Sequence, residues 1–479
     1  MSDAESEPIA QPAPNSGPPN PSPSGADGGR DPGIQLSARV AQVAARPGVD
    51  EGQESRDTAG SQGPRPPLNW RRTLYALWIA QIFALVAFSM RVPFLPFYLR
   101  DLGLTDTNDQ LWWATAITAA GAVCMTISAP IWGVVSDRVG RKPMVIRAML
   151  FAAFTIGLMG LATAPWQLFG LRLIEGAFTG TVTACAALVA STVPRDRVGF
   201  GLGLIQTSVF SGSSLGPLFG GFLANQVGYR WTFGVASGFM VIGLLIVVFL
   251  VEERFRPVRR TQTVDGRRTG GFQSQLAILA IPVVGIMVLS MLVIRGTSMA
   301  IQPILPLYVA QLGSFGISDA ETAGLILGAQ GLTSAVASIY FGRLGDRIGH
   351  RRILTVCTFA AGFIYLPMAV ATQSWQLLAL QAAFGVAAGG LVPTANALVA
   401  MATGPEQRGV VFGLMAGAGS MGAFVGPLAI AGLTTSGGFA LAFVAIGVSL
   451  LLTGAAIVYT FSHRARELAP ADARPAAGD

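Results

Sequence analysis

Arg172 and Glu175 stand three residues apart inside a long apolar run, in the phrase Arg172-Leu-Ile-Glu175-Gly176. On a helix that spacing puts both side chains on one face. A charge at mid-bilayer costs roughly 2.5–3.5 kcal/mol or more, so the pair must face a protein interior or a wet cavity. Glu175 is the one carboxylate deep in an apolar run, and intramembrane acids of this kind serve in proton relays. Its chemistry would be uptake and release of a proton; the blander alternative is a glutamate that only neutralises Arg172. Arg91, two residues before Pro93 in another apolar run, is a lone cation that also needs a partner. An Arg91–Glu175 ion pair is the expected solution, since each charge would be costly alone. Arg295 is a further cation in an apolar run. It either snorkels to an interface or, with Arg91 and Arg172, favours an anionic or zwitterionic substrate.

The elements that must position these charges are membrane helices. The 479 residues are 52% hydrophobic and only 12% charged, whereas a soluble chain carries roughly 25% charged residues. Twelve apolar segments, each near the ~20 residues of a helical span, fall at about 74–99, 111–134, 144–163, 166–190, 201–225, 231–251, 276–309, 320–342, 353–372, 375–400, 409–433 and 438–461. A span must satisfy its backbone internally, which leaves helices. The expected organisation is a disordered tail over 1–69, six helices over 70–252, a basic linker over 253–275, six helices over 276–462 and a second tail over 463–479. No apolar stretch near the start suggests a cleavable signal peptide.

Composition also excludes several classes. Cys124, Cys185 and Cys357 lie inside apolar runs, so no disulfide framework or metal site is expected; His350 and His463 merely flank such runs. No cofactor is expected either. There is no Gly-x-x-x-x-Gly-Lys-Ser/Thr phosphate loop and no nucleophile–base constellation, which argues against an ATP site and an enzyme. The net charge of +7 is parcelled into short loops instead of one soluble face, which argues against nucleic acid. Arg71, Arg138, Arg141, Lys142, Arg254, Arg343 and their neighbours fall in loops of one side, against Arg100 and Arg230 on the other. By the positive-inside rule both termini are cytoplasmic.

One charged phrase is written twice. Gly133-Val-Val-Ser-Asp137-Arg138-Val-Gly140-Arg141-Lys142 recurs as Gly342-Arg-Leu-Gly-Asp346-Arg347-Ile-Gly349-His350-Arg351-Arg352, 209 positions later. Pro93-Phe-Leu-Pro96-Phe-Tyr98 is echoed by Pro303-Ile-Leu-Pro306-Leu-Tyr308, Trp166-Gln-Leu168 by Trp375-Gln-Leu377, and Gly216-Pro217 by Gly426-Pro427. A repeat of six spans places equivalent helices of each half in the same orientation.

On these residues the chain resembles the major facilitator superfamily, and within it the twelve-span drug:proton antiporters of the multidrug and tetracycline efflux type, with MdtG-like exporters nearest. Gly133 to Lys142 matches the family's loop 2–3 motif, Arg172 to Gly176 its fourth-helix motif (where Glu175 replaces the usual glutamine), and Gly212-Ser-Ser-Leu-Gly216-Pro217-Leu-Phe-Gly220-Gly221 its fifth-helix antiporter motif. The resemblance implies an all-α membrane protein with twelve transmembrane helices in two pseudo-symmetric six-helix bundles. It implies a monomeric, proton-coupled exporter of small amphipathic molecules, such as antibiotics, in a bacterial inner membrane. It links Arg172 to proton transfer and gives Gly133, Asp137, Arg138, Gly140, Arg141, Lys142, Asp346 and Arg347 a gating role.

Physically, a carboxylate such as Asp137 can hold a neighbouring helix end in one conformation and release it in another, and alternating access needs only a few kcal/mol of such bias. The alternative is a plain topology signal. Pro93, Pro96, Pro303 and Pro306 either break their helices near a binding site or merely end them. Gly212, Gly216, Gly220 and Gly221, with Pro217, permit close helix approach, for packing alone or for a leak-tight contact between halves. Gln81, Phe88, Tyr98, Gln206, Arg295, Gln330, Gln381 and Asn396 are candidates to dress a substrate cavity. Two rival functions stay open: an exporter or flippase of an anionic or zwitterionic lipid-like substrate, and a transport-inactive sensor or scaffold that uses the N-terminal tail.

Overall fold

The computed structural model of the protein describes residues 69–194, 197–253, 282–403 and 408–467. The first tail up to 68, the linker from 254 and the last residues from 468 lie outside the described residues. The described chain is helical throughout. The helices are α1 (Trp70–Met90), α2 (Leu95–Asp101), α3 (Thr107–Val139), α4 (Arg141–Met159), α5 (Pro165–Phe178), α6 (Thr181–Thr192), α7 (Val198–Val227), α8 (Tyr229–Leu250), α9 (Pro282–Leu312), α10 (Asp319–Ile348), α11 (His350–Met368), α12 (Ser374–Ala402) and α13 (Arg408–Glu467). The pair α1 and α2 makes one crossing, as does the pair α5 and α6; α13 holds two crossings joined at Gly438. Twelve crossings result, six in each half, and nine of the described helices are long and apolar enough to cross a membrane on their own count.

Local chemistry sets the helix ends. Asp106 Oδ1 accepts from Asn108 N (2.8 Å) to cap α3, and Ser318 Oγ accepts from Glu321 N (3.2 Å) to cap α10. Within the two charged phrases, α3 and α10 end on Gly140 (φ +106°) and Gly349 (φ +96°), each in a backbone region that L side chains rarely adopt. There the chain turns from α3 into α4 and from α10 into α11 without a loop.

Each half buries its own apolar core. In the first, α1 packs on α7 and α8, α3 on α5, and α4 on α8; in the second, α9 packs on α13, α10 on α12, and α11 on α12 and α13. The repeat extends to side-chain bonds. Tyr98 Oη donates to the carbonyls of Met159 (3.1 Å) and Ala162 (3.2 Å), and Tyr308 Oη donates to those of Met368 and Ala371 (3.0 Å each). Large exposed apolar residues such as Leu161, Trp231, Phe249 and Val370 cover the outside, as lipid-facing surface requires.

The Pro-x-x-Pro echoes part company. In the first half the helix unwinds over 91–94, between α1 and α2. In the second, α9 runs unbroken through Pro303 and Pro306. The break coincides with Arg91; the corresponding site in α9 holds buried Ile301, which has no charge to turn aside. A second break went unforeseen. The fourth crossing opens at Thr179–Gly180 (φ +123° at Gly180), while its counterpart α12 is continuous.

The halves meet along α7 with α10 and α3 with α13. Call the end with the charged phrases the near end. The contacts lie toward the far end: a Cβ on Gly221 would come within 2.5 Å of the Ala320 carbonyl oxygen, and one on Gly324 within 2.5 Å of that of Pro217. Asn225 Nδ2 donates to Glu321 Oε2 there (2.9 Å), the one side-chain hydrogen bond between the halves among the described residues. Leu111 of α3 and Val92 join the apolar core of the second half. Toward the near end Gly203 of α7 and Gly342 of α10 face open space, with no atom of the other half against either.

Candidate functional site

Glu175 is fully buried and holds two arginines. Its Oε1 lies 2.6 Å from Arg172 Nη1 and 3.1 Å from Arg91 Nη1, and its Oε2 accepts from Arg91 Nη1 at 3.2 Å. The expected Arg91–Glu175 pair therefore forms, and Arg172 completes a triad. The side chains of Arg91 and Arg172 are 10% and 18% exposed, low enough that solvent screens the charges weakly. The unwound turn at 91–94 brings Arg91 in from the first crossing, and α5 supplies Arg172 and Glu175 one turn apart.

Two small residues make the triad possible, and the sequence did not single out the first of them. Gly121 of α3 lies against Arg172, where a Cβ would come within 2.8 Å of its Cζ. Gly176 of α5 lies against the Gly121 carbonyl oxygen, where a Cβ would come within 2.5 Å. The α3–α5 crossing is thus close enough to lay Arg172 flat along α3. Just beyond, the Thr179–Gly180 break frees carbonyls that an unbroken helix would use. Ser128 Oγ donates to Gly176 O (3.3 Å) and Trp132 Nε1 to Ala177 O (2.7 Å), one helical turn apart on α3. The guanidinium of Arg147 sits 3.5 Å from the Trp132 ring centre, a cation–π contact behind the indole.

A cavity of about 190 Å³ opens beside the triad, where the halves begin to part. Phe88, Arg91, Val92, Leu95, Thr118 and Arg172 line it from the first half, and Met299, Gln302 and Pro303 from the second. Of the residues expected to dress a cavity, Phe88 does so. Gln81, Tyr98 and Gln381 do not. Gln81 is buried between α1 and α6, bonded to Thr181 Oγ1 and Cys185 Sγ. Tyr98 is spent on the carbonyls at the end of α4, and buried Gln381 turns its Nε2 to Met368 Sδ (3.7 Å) inside the second bundle. These polar groups answer the demand that buried donors be paired within their own bundle. Gln206 and Arg295 are exposed, Arg295 with its stem against Gly419, while Gln330 and Asn396 are half-buried.

The charged phrases are built differently in the two halves. Asp137 and Arg138 are exposed. The start of α4 is held instead by Glu253, at the end of α8, whose carboxylate accepts from Arg141 N (2.8 Å) and Lys142 N (2.7 Å). An anion there satisfies orphan N–H groups and opposes the helix dipole. Arg141 Nη1 donates to Ala187 O of α6 (2.5 Å), and Lys142 Nζ to Val248 O of α8 (2.9 Å). In the second half, His350 Nε2 lies 3.2 Å from Asp346 Oδ1, whose side chain is 75% exposed. Arg347 is exposed. The antiporter-motif glycines split their work: Gly212, Gly216 and Gly220 admit Leu85, Ser89 and Met90 of α1, while Pro217 and Gly221 meet α10.

Comparison with known proteins agrees with this architecture. The family model of the Major Facilitator Superfamily matches residues 77–313 and 286–477. The chain is similar to "Multidrug resistance protein MdtG" of Citrobacter koseri, with 32% identity over 84% of this chain and 97% of that protein. It is similar to "Multi-drug resistance efflux pump PmrA homolog" of Lactococcus lactis, with 34% identity over 76% and 89%. Among solved structures, a bacterial homolog to the human lysosomal transporter Spinster, inward-facing and occupied, superposes with TM-score 0.66 at 14% identity over 83% of this chain and 98% of that one. The human organic anion transporter MFSD10 superposes with TM-score 0.61 at 20% identity over 82% and 100%. At these identities the two structures show the fold alone.

Proposed function

The chain belongs to the Major Facilitator Superfamily and is a multi-pass membrane protein, and from that premise we propose that it is a proton-coupled secondary transporter that exports small amphipathic molecules. The observation that carries the reading is Glu175, a fully buried carboxylate held by Arg91 and Arg172 beside a cavity between the halves. A proton on Glu175 cancels the charge that ties the first crossing to the fourth, so the two protonation states favour different arrangements of α1 and α5. Export of drug-like compounds is supported by relatives named as multidrug resistance and efflux proteins.

On this reading the near end and both termini are cytoplasmic, in a bacterial inner membrane, which the arginines of the loops on that side support. The parted near end then corresponds to a cavity open to the cytoplasm and sealed outside by the α7–α10 joint. The two charged phrases, held in the first half by Glu253, act as the cytoplasmic gate that closes when the halves rock.

Flux in proteoliposomes under an imposed pH gradient tests this reading, with lipophilic cations, anions and neutral amphipaths as probes. Gradient-dependent flux is expected for wild type. Glu175→Gln is expected to lose the gradient dependence and keep exchange without a gradient. The reading fails if neither sign of gradient alters flux of any probe and Glu175→Gln behaves like wild type.

A further inference from the structure

The triad holds more positive charge and more donors than Glu175 can use. Two guanidiniums offer about ten N–H donors and a carboxylate about four lone-pair sites. Among the described residues no other acceptor is bonded to Arg91 or Arg172, and Arg172 Nε is buried with no partner. No other acid is close. Next to Glu175, at Gly176, α3 presents Cys124 and Ser128; α4 carries Arg147, turned onto Trp132; α7 has no charged residue from Val198 to Val227; and the Arg295 of α9 has its stem against Gly419. The triad is therefore net positive whether Glu175 is charged or protonated. A cation is repelled there in both states, and an anion attracted in both.

The surplus charge opens onto the cavity of about 190 Å³. Phe88, Val92 and Leu95 of one half and Met299 of the other give it apolar wall, and Gln302 lines it from the second half. We propose that this cavity is a receptor for the carboxylate of an anionic amphipath. The carboxylate takes the N–H groups that Glu175 leaves over on Arg91 and Arg172. The apolar body lies against Phe88, Leu95 and Met299, and Gln302 closes the site from the second half. A proton on Glu175 and an anion on the guanidiniums favour each other, because each removes charge that the other must otherwise face. The proposal names the substrate class within the transport reading and rests on it, but its test is binding, not flux.

The test is equilibrium dialysis of the full-length protein, purified in detergent, against naphthoate, naphthylmethylammonium, naphthylmethanol and chloride. Naphthoate is expected to bind at least about tenfold more tightly than the ammonium and alcohol of the same body, as an ionic hydrogen bond in a dry site requires. Arg172→Gln is expected to weaken naphthoate by about tenfold and leave naphthylmethanol unchanged. Gln302→Leu, on the second-half wall of the cavity and not bonded to the triad, serves if Arg172→Gln does not fold, and is expected to weaken naphthoate severalfold. Equal binding of the three naphthyl probes, or saturation by chloride with no naphthoate bound, overturns the proposal. Naphthoate binding that is tighter at acidic than at neutral pH supports both this site and Glu175 as the proton carrier. Naphthoate binding that ignores pH keeps the anion site and sinks the proton-carrier reading.

Discussion

Glu175 is a single acid in a cage of two bases, and its removal differs from removal of either partner. Glu175→Ala leaves two buried guanidiniums with no counter-charge, a loss expected to cost about 3–5 kcal/mol. Arg91→Met leaves the Arg172–Glu175 bond of 2.6 Å intact and is expected to cost less. Thermal melting of both single variants and the double variant checks this; the double should be more stable than the sum of the singles predicts, since the second change removes the charge that the first left stranded. Arg91, Arg172 and Glu175 were legible in the sequence because a charge in an apolar run is conspicuous and must find a partner. Gly121 and Glu253 were not. Glycines are common in this chain, with 59 in all, and nothing local marks the one that a guanidinium will cover. Glu253 looked like part of a basic linker, and its role exists only because α8 ends beside the start of α4. Glu253→Ala should destabilise the protein by about 1–2 kcal/mol, as the loss of a helix cap does, read as a lowered melting temperature.

At the scale of elements, the first half contains two interrupted crossings and the second half contains neither interruption. The proline repeat marked the first as a candidate, but the same pattern left α9 whole, so sequence alone could not choose. The second break has no proline to announce it. It is sustained by Ser128 and Trp132 from α3, whose spacing on one helix face matches the carbonyls exposed at Gly176 and Ala177. Trp132→Phe should cost about 1 kcal/mol by stranding Ala177 O, and Ser128→Ala less, because its bond is longer. Gly180→Ala should cost about 1–2 kcal/mol, since an L side chain is strained at φ +123°. Melting temperatures rank the three. One break presents Arg91 to Glu175, and the other follows Glu175 by about one turn in its own crossing.

For the molecule as a whole, the duplication, the twelve crossings and the fold family were readable from echoes 209 or 210 residues apart. The way the halves meet was not, because the echoes lie within each half and say nothing of the contact between them. It emerges from where glycines are covered. Cysteines at Asn225 and Glu321 should cross-link readily, and cysteines at Gly203 and Gly342 slowly. Asn225→Leu should raise cross-linking of the second pair by about fivefold, the effect of about 1 kcal/mol on the balance of the two states. Unchanged cross-linking would mean that glycine contacts alone hold the far end shut. Gly324→Val should close off this state altogether by wedging α7 from α10, whereas Gly203→Val meets only open space.

The uncompensated guanidinium at the triad also has an electrical consequence. A carrier that rocks around a net positive centre changes the share of the membrane field lying on each side of that charge, even with no cargo aboard. One elementary charge moved through the whole of a 100 mV drop is worth about 2.3 kcal/mol, so even a partial displacement rivals the hydrogen bond at Asn225. On the proposed rocking mechanism, the empty protein would itself respond to voltage. A voltage step applied to a substrate-free membrane should evoke a transient capacitive current that shrinks in Arg172→Gln.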